Sequence, residues 1–415
     1  MNRFAHLSDI HLGSTRDPIL REMEINAFEK AMNECIDREV DFIIISGDFF
    51  DTPIPDLEVV NRTLIKLKEI NEKGIPIYII YGSHDYAQGS TSIIDLLCTI
   101  RLMTKIDKDA YLEDGNLKLT PFIEPKTGIK IVGFSARKQG LEKQYYERIE
   151  REYLENLEGL KIFMFHSSLD EFKPQSLSKA DSIPISLFPK EFDYYAGGHV
   201  HNKGEYNLPG YSKVTFPGPL FTSKGRDLED TAKGVKRGFF IINFDTKIVS
   251  TEFIEITNFQ GIYSEHDVSG KTPNEVQQEI KTEVETLEVN DKVIVLKIKG
   301  ELSGGKVSDI NFSELEKLLI TKKARYIHLN RNSLVSKENS NIQILATMPN
   351  EIEEKLFEEN INNVKSKTTI LQGEQGIVTS KELLRILEQE KKAGETNDTY
   401  ENRVIGSGKK SLLLE

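Results

Sequence analysis

The segment His6-Leu7-Ser8-Asp9-Ile10-His11-Leu12-Gly13 joins a short apolar strand pattern, Phe4–Leu7, to an Asp-x-His pair. Helix and strand patterns then alternate along the chain: a helix over about residues 19–38, the strand Asp41–Ile45, a helix with Val59, Leu64 and Leu67 on one side, and the strand Ile75–Tyr81. The second strand is a continuous apolar run after its first residue, as in a strand buried on both faces. This alternation predicts an α/β sheet with right-handed crossovers.

The chain becomes richer in strand patterns after Leu117. The predicted elements are a hairpin of Leu117–Phe122 and Gly128–Phe134, a charged helix near Leu141–Leu157, and the strands Lys161–Phe165, Phe192–Ala196, Lys213–Phe216 and Gly238–Phe244. The first half of the chain is therefore expected to form a large α/β domain.

Two further regions follow this domain. Residues 258–345 predict a small α+β domain, with a helix capped by Thr272-Pro273-Asn274-Glu275, the strand Lys292–Lys299, a helix over about Ser313–Lys323 and the strand Arg325–Leu329. Residues 350–415 predict a polar linker with two short helices, whose caps are Asn350…Glu353 and Thr379…Glu382. Helices this short persist only when they bury their apolar stripe. They are expected either to dock onto their own protein or to bind a partner.

The composition limits the classes of protein to which the chain can belong. Its 415 residues suffice for two or three domains, and no apolar run approaches the roughly 20 residues that span a bilayer. The first strand pattern starts at once, so we expect no signal peptide. Cys35 and Cys98 each lie in a helix pattern, which predicts reduced thiols in a cytoplasmic protein. The net charge of −12 argues against a surface that grips nucleic acid everywhere, but leaves a nucleic-acid substrate open.

Metal-ligand side chains lie at the ends of five predicted strands. The segments are Asp9-Ile10-His11, Gly47-Asp48, Gly82-Ser83-His84-Asp85, His166 and Gly198-His199-Val200-His201. Because ligands gather at the carboxyl ends of strands in open α/β sheets, we expect the five segments to converge. Imidazole together with carboxylate suits Mn, Fe or Zn, and Mg less well. The lone carboxylate of Asp48 can bridge two cations, so the sequence predicts a centre for divalent metal ions.

These motifs, in this order, resemble the signature of the calcineurin-like metallophosphoesterases. The closer resemblance is to the Mre-eleven/SbcD family of double-strand-break repair nucleases, through His6–Gly13, Ser46–Asp51 and Phe216-Pro217-Gly218. The resemblance rests on specific motifs over roughly residues 1–245. For the later regions it extends only to the order of the domains. It implies a four-layer α/β/β/α metallophosphoesterase sandwich over residues 1–250, a DNA-capping α+β domain over 258–345, and a helical tail over 350–415 that binds a partner ATPase.

The resemblance also implies a role for each ligand residue. One metal ion would be held by Asp9, His11 and His201, and the other by His166 and His199, with Asp48 bridging the two. His84 matches the transition-state histidine of the family, and Asp85 would orient its imidazole.

The implied activity is cleavage of DNA phosphodiesters that depends on two Mn²⁺ ions per chain, with Mg, Fe or Zn left open. The enzyme would act as a 3′-to-5′ exonuclease and a single-strand endonuclease. It would work as a homodimer with a coiled-coil ATPase of the Rad-fifty/SbcC type, bound through the tail.

Ser83 departs from the family pattern. The family usually has asparagine at this position, and the amide oxygen of that asparagine ligates the second metal ion. A serine hydroxyl is shorter and is a poorer donor to a metal. We favour a weaker second site in a working enzyme, because every other ligand is present; the alternative is a member with reduced or altered activity.

Two other functions remain open. A phosphodiesterase that acts on nucleotides or small phosphoesters would explain the acidic charge, but would have little use for the second domain and the tail. A catalytically weak DNA-end-binding scaffold subunit would explain Ser83. We expect structural roles for His6, inside a strand, and for Asp51, at a turn. Gly406-Ser407-Gly408-Lys409-Lys410 fails the spacing of a phosphate-binding loop, so we expect no ATP binding there.

Overall fold

The computed structural model describes residues 1–86, 91–107, 111–113, 115–137, 142–173, 182–337, 361, 369–389, 391–392, 395 and 397–413. The chain divides into two compact units, Met1–Leu334 and Val335–Glu415. The strands are β1 (Asn2–Leu7), β2 (Phe42–Ser46), β3 (Ile77–Ile80), β4 (Thr104–Lys105), β5 (Tyr111–Glu113), β6 (Asn116–Lys118), β7 (Phe122–Ile123), β8 (Lys130–Phe134), β9 (Lys161–His166), β10 (Tyr194–Gly198), β11 (Gly204–Leu208), β12 (Tyr211–Phe216), β13 (Gly238–Phe244), β14 (Ile248–Glu255), β15 (Gly261–Asp267), β16 (Val293–Leu302) and β17 (Tyr326–Ser336).

The α-helices are α1 (Pro18–Asp37), α2 (Leu57–Glu72), α3 (Ile93–Thr99), α4 (Glu142–Tyr146), α5 (Arg151–Glu155), α6 (Gly225–Ala232), α7 (Pro273–Thr286), α8 (Phe312–Thr321), α9 (Gly373–Leu387) and α10 (Asn397–Ser411). Short 3-10 helices cover Asp170–Phe172, Ile185–Leu187, Val307–Asp309 and Thr369–Leu371. No described helix combines the length and the apolar content needed to cross a membrane.

Two six-stranded sheets form the centre of the first unit. Their strand orders are β14-β13-β1-β2-β3-β4 and β11-β12-β10-β9-β8-β7. Strands β1 to β4 are parallel, as are β8, β9, β10 and β12, whereas β13 and β14 in the first sheet and β7 and β11 in the second pair antiparallel with their neighbours. The carboxyl ends of the parallel strands therefore meet along one side of the molecule.

Alternating side chains along the strands place the two sheets face to face. Phe4 and Phe42 point into the core between the sheets and stack with ring centroids 5.0 Å apart. Their neighbours Ala5 and Ile43 point the opposite way, into the core beneath α1 and α2. On the far face of the second sheet, strand residues pack against α4, α5 and nearby loops. Because successive strand residues face opposite sides, this confirms the predicted four-layer α/β/β/α arrangement.

Two predicted elements were wrong between residues 115 and 157. Leu117 does not pair with the Gly128–Phe134 segment but lies in β6, which pairs with β5; the second hairpin is β7–β8. The helix expected near Leu141–Leu157 is broken into α4 and α5. The break has a visible cause, since Leu117 N donates to Arg148 O at 2.7 Å and Glu150 N donates to Leu117 O at 3.0 Å. A backbone that pairs with a strand cannot continue as a helix.

A three-stranded sheet, β15-β16-β17, with α7 and α8 follows in the same unit and has its own apolar core. The predicted capping box of α7 is present, because Thr272 and Glu275 each accept from the other's backbone N–H. The boundary near residue 258 and the division into residues 1–250, 258–345 and 350–415 stay predictions.

The second unit contains α9 and α10. The helix predicted from Asn350…Glu353 lies outside the described residues. The cap predicted at Thr379 was wrong, because α9 begins at Gly373 and buries Thr379 within it. The segment Gly406–Lys410 is helical, as part of α10. Tyr400 of α10 donates to Gln389 O at 2.9 Å, just beyond the end of α9.

Candidate metal centre

The carboxyl ends of β1, β2, β3, β9 and β10 carry the five predicted ligand segments. Backbone hydrogen bonds tie the first two loops together: Asp9 N donates to Gly47 O at 3.1 Å, and His11 N donates to Asp48 O at 2.9 Å. His199 N, from the second sheet, donates to both carboxylate oxygens of Asp9 at 2.9 and 3.1 Å. The expected convergence of strand ends from both sheets is therefore present.

Glycines let these loops approach one another closely. A Cβ on Gly82 would lie 2.1 Å from Asp48 Oδ1, and a Cβ on Gly198 would lie 2.0 Å from Ser46 O. Both distances are shorter than any non-bonded contact that a side chain can tolerate. Only glycine leaves room for the Asp48 carboxylate and the Ser46 carbonyl at these positions.

Four of the predicted ligands have a left-handed backbone. The φ angles are 53° at Asp9, 50° at His11, 53° at Asp48 and 79° at His199. Such a conformation costs a non-glycine residue about 1–3 kcal/mol and persists where the surroundings enforce it, often at functional sites. The hydrogen bonds between the loops supply that enforcement here, and they bring the side chains of Asp9, His11 and Asp48 into the same ligand groups.

A first group of possible ligand atoms consists of Asp9, His11 and His201, which lie within 4.8 Å of one another. His201 Nδ1 donates to Asp227 Oδ2 at 2.7 Å, so Nε2 is the nitrogen left to bind a metal ion. That Nε2 lies 3.8 Å from Asp9 Oδ1. Burial would lower the pKa of His201, but the bond to Asp227 raises it above the ordinary value.

A second group consists of Asp9, Asp48 and His166, all buried. His166 Nδ1 donates to Ser46 O at 2.8 Å, and its Nε2 lies 3.1 Å from Asp48 Oδ2. Burial alone would lower the pKa of His166, but the Asp48 carboxylate raises it to about 10. A third group of His11, Asp48 and His84 overlaps both others. Asp48 and Asp9 therefore lie where two ligand sets meet.

The residues present fit divalent metal ions. Among the described residues, His11 Nε2 and His166 Nε2 are buried without a hydrogen-bond partner. Buried imidazole nitrogens that lack a partner are costly in a folded protein. Each faces Asp48 Oδ2, at 3.6 and 3.1 Å respectively. A cation that accepts lone pairs from both imidazoles and the carboxylate satisfies all of these atoms.

His199 and Ser83 lie at the edge of this arrangement. The His199 side chain is exposed, outside the three ligand groups, although its ring centroid is 5.3 Å from that of His166. Ser83 is half-buried between Gly82 and His84, and its hydroxyl has no hydrogen-bond partner among the described residues. Their ligand roles stay predictions.

The expectation that Asp85 orients His84 was wrong. His84 Nδ1 donates instead to the backbone carbonyl of Asp51 at 2.8 Å, which leaves Nε2 free on a side chain that is 37% exposed. The Asp85 carboxylate accepts backbone N–H groups of Phe49, Phe50 and Gly82 at 2.9–3.3 Å. Adjacent residues in a tight turn point in different directions, so Asp85 holds the loops while Asp51 orients the imidazole.

The two residues expected to be structural have clear partners. His6 is fully buried, with Nδ1 2.9 Å from Tyr194 Oη and Nε2 3.0 Å from Ser46 Oγ, so it links the two sheets. Asp51 serves as a hydrogen-bond anchor through its carbonyl, as expected. Its carboxylate Oδ1 also lies 3.2 Å from His11 Nδ1 and 3.5 Å from Lys224 Nζ, so it borders the centre more closely than a turn residue would.

Comparisons with known proteins agree with this geometry. The family model described as calcineurin-like phosphoesterase matches residues 2–203. The chain is 30% identical over 287 residues to the DNA double-strand break repair protein Mre11 of Methanococcus maripaludis, a match that covers 66% of this chain and 73% of that protein. The chain belongs to the Mre11 family.

Two further Mre11 proteins show the same relationship. That of Methanopyrus kandleri is 27% identical over 266 residues, which are 61% of this chain and 57% of that protein. That of Sulfurisphaera tokodaii is 28% identical over 290 residues, which are 69% of this chain and 70% of that protein. As a member of the Mre11 family with a calcineurin-like phosphoesterase region, the chain is a metal-dependent phosphodiesterase of the nuclease type.

No sequence pattern pointed to the residues that support His201 in this Mre11 family member. Asp227 lies in α6, 26 residues after its partner. Arg237 donates to His201 O at 2.7 Å and to Asp227 O at 3.1 Å. An aspartate in the first turn of a short charged helix has the appearance of a surface residue, and only tertiary packing brings it to the histidine.

Proposed function

We propose that this Mre11 family member is a Mn²⁺-dependent DNA nuclease that processes double-strand breaks. The observation that supports this best is the set of three overlapping ligand groups at the strand ends, beside a histidine whose Nε2 is exposed. A centre that opens to solvent can receive a phosphodiester from outside, as a nuclease requires.

The chain's own side chains define where two ions would bind. Asp9, His11 and His201 would hold one, and His166 and His199 the other, with Asp48 between them. When bound, such ions lower the pKa of a coordinated water and neutralise charge on the phosphate. Asp48 Oδ1 accepts from His84 N at 2.9 Å. This bond fixes the position of the Asp48 carboxylate relative to the loop that carries His84.

His84 is the residue that would contact the scissile phosphate. Its Nδ1 is committed to the Asp51 carbonyl, so only Nε2 can form a bond with the substrate. From that nitrogen the ring can donate to a non-bridging phosphate oxygen or deliver a proton to the leaving 3′-oxygen. Asp85 acts indirectly, by fixing the loops on which Asp48 and His84 lie.

The proposed substrate is DNA. The protein would cleave it as a 3′-to-5′ exonuclease and as a single-strand endonuclease. The relatives are named as DNA double-strand break repair proteins. In this chain a polar groove of about 730 Å³ lies between α6 and strands β16 and β17, and its lining includes Arg226, Lys233 and Lys297. Lys297 is paired with the buried Glu229 in this lining, so Arg226 and Lys233 are the cations that would contact a phosphate backbone, despite the net charge of −12.

The test compares substrates at fixed Mn²⁺ concentration. The DNA substrates are end-labelled blunt duplex, end-labelled hairpin and unlabelled circular single-stranded DNA. Each is incubated with the protein, in parallel with bis-(p-nitrophenyl) phosphate. Cleavage of all DNA forms, lost on removal of metal, supports the proposal. Turnover of the small diester alone would establish the small-phosphoester enzyme instead, and DNA-end binding without any cleavage would establish the scaffold subunit.

The proposed homodimer finds support in exposed apolar side chains. Leu57 and Ile65 lie on one face of α2, and Leu96 and Ile100 lie one turn apart in and after α3. Ile93 N donates to Pro53 O at 2.9 Å, so the start of α3 lies beside the segment that leads into α2. Sedimentation of the wild type and of a Leu57→Lys/Ile65→Lys variant tests this, and a monomeric wild type would contradict it.

The proposed partner is a coiled-coil ATPase of the Rad-fifty/SbcC type, bound by the C-terminal unit. Val378, Leu387 and Ile405 on α9 and α10 are exposed. A chain that stops before Thr369 removes both helices whole. It should lose co-purification with the ATPase and retain Mn²⁺-dependent cleavage of single strands; retained association would contradict the proposal.

A further inference from the structure

Helix α6 connects the metal centre to the β15-β16-β17 sheet through two acidic side chains two residues apart. Asp227 Oδ2 accepts from His201 Nδ1 at 2.7 Å. Glu229, buried on the same helix, lies 3.1 Å from Lys297 Nζ of β16 and accepts from Asn330 of β17. The helix is therefore anchored at one residue to the sheet and at another to a metal-ligand candidate.

Arg237 joins helix α6 to the loop that carries His201 through hydrogen bonds to both. Its guanidinium donates to His201 O at 2.7 Å, to Asp227 O at 3.1 Å and to Thr231 Oγ1 at 3.0 Å, and it is only 6% exposed. The backbone of the ligand and the backbone of its supporting residue are thus fixed by one side chain. Asp227 has little freedom to turn away from the imidazole.

We propose that Asp227 is a positioning residue that keeps the proton of His201 on Nδ1 and so keeps Nε2 free to bind metal. An imidazole nitrogen can ligate a metal ion only through its lone pair, so the tautomer decides whether His201 is a ligand. This inference rests on the proposed function, because it concerns the same metal centre. It adds a residue that lies 26 positions along the sequence from the histidine that it contacts.

The neighbours of Asp227 predict what an amide would do at this position. Asp227 Oδ1 lies 3.5 Å from Arg237 Nη2, which can only donate. In an Asp227→Asn variant the amide oxygen therefore stays on the Arg237 side, and the NH₂ group faces His201 Nδ1. A donor there favours the tautomer with hydrogen on Nε2, which places a proton where the metal ion belongs.

The experiment measures Mn²⁺ binding by titration calorimetry and the tautomer of His201 by long-range ¹H–¹⁵N NMR of the metal-free protein. The His201 signals are assigned with a His201→Gln variant. In Asp227→Asn we expect one of two Mn²⁺ sites to weaken about 10- to 100-fold, the other to stay unchanged, and His201 to change tautomer. Asp227→Glu should recover most of the affinity.

Asp230→Asn is the matched control. It removes the same charge one turn further along α6, where the side chain makes no bond to His201 among the described contacts. Its Mn²⁺ isotherm and NMR spectrum should match the wild type. Should Asp227→Asn fail to fold, Asp227→Ala removes the acceptor with a smaller side chain and should weaken the same single site.

The outcomes separate this inference from the proposed function. A wild-type protein that binds no Mn²⁺ would overturn both. A wild type with two sites, together with an Asp227→Asn variant whose isotherm and His201 tautomer are unchanged, would overturn the positioning role alone. Equal weakening of both sites would also overturn it, because it would show a general loss of structure.

Discussion

The floor and the rim of the metal centre are built in different ways. The floor consists of Asp9, Asp48 and His166, all buried and joined to the strand ends by backbone hydrogen bonds. The rim consists of His84, His199 and His201, which are more exposed and depend on distant groups such as the Asp51 carbonyl and Asp227. From this difference we expect the floor to be required for any metal binding, whereas the rim adjusts the affinity of individual metal sites and the contact with the substrate.

The largest effect is expected from Asp48→Asn, because Asp48 lies in two of the three ligand groups. An amide is neutral, so it neither compensates two cations nor pairs with the His166 imidazole. Nuclease activity should fall below detection and Mn²⁺ binding should be lost, as measured by cleavage and by calorimetry. The control is Asp37→Asn, the same change at an exposed position at the end of α1. Normal metal content in Asp48→Asn would contradict the role given to the floor.

A rim substitution should separate chemistry from binding. His84→Gln removes the free Nε2 but none of the floor, so kcat should fall about 10²- to 10⁴-fold. Mn²⁺ stoichiometry and DNA affinity should stay at wild-type values, because the buried ligands are untouched. Metal loss in this variant would show that His84 is a ligand rather than the residue that contacts phosphate.

Helix α1 carries a buried carboxyl, that of Glu24, whose ionisation should show in stability. Glu24 accepts from Gly13 N at 3.0 Å, and burial raises its pKa from the ordinary 4.5 to about 7. Because the folded state holds this proton more tightly, the stability from Glu24 is present below pH 4.5 and is lost as pH rises to about 7. The shift corresponds to about 3 kcal/mol.

Glu24→Gln tests this value, since the amide resembles the protonated acid. The free energy of unfolding of the metal-free wild type, minus that of the variant, should fall by about 3 kcal/mol between pH 4.5 and pH 7.5. Urea denaturation at several pH values measures it, and other titrating groups cancel in the difference. A difference that does not change with pH would refute the assignment.

The smallest effect is expected at Ser83, which precedes His84 of the rim in the sequence. Ser83→Asn restores a longer side chain with an amide oxygen that can reach a metal ion. The Mn²⁺ concentration for half-maximal cleavage should fall by several-fold, roughly 1 kcal/mol of binding free energy. A titration of activity against Mn²⁺ measures it, with Ser83→Ala as the control. An unchanged Mn²⁺ midpoint would show that Ser83 does not limit the affinity of the second metal site.

The floor could be predicted from the sequence, and most of the rim support could not. Asp9, Asp48 and His166 directly follow or end apolar runs, and strand ends converge by a general rule of α/β sheets. Asp227 is placed by the docking of α6, and no local pattern links it to His201. The role of Asp85 came from the family resemblance, and the geometry of the tight turn directs its carboxylate to backbone N–H groups instead of to His84.

The same contrast explains the errors in the fold. Periodicity identified β1, β2 and β9 to within two residues at each end, because each is a buried run with its own pattern. The helix expected near residues 141–157 failed because β6, some 25 residues earlier, pairs with its middle. Thr379 resembled a helix cap, but the helix begins before it. Long-range pairing therefore overrode local preference at the broken helix, whereas at Thr379 only the start of the helix was misplaced.

Anomalous diffraction from crystals soaked in Mn²⁺ tests the central claim most directly. The account predicts two peaks at the strand ends, one bound by Asp9, His11 and His201 and the other by His166, with Asp48 in contact with both. A map without manganese between these side chains, or with a single ion that avoids His11 and His166, would contradict it.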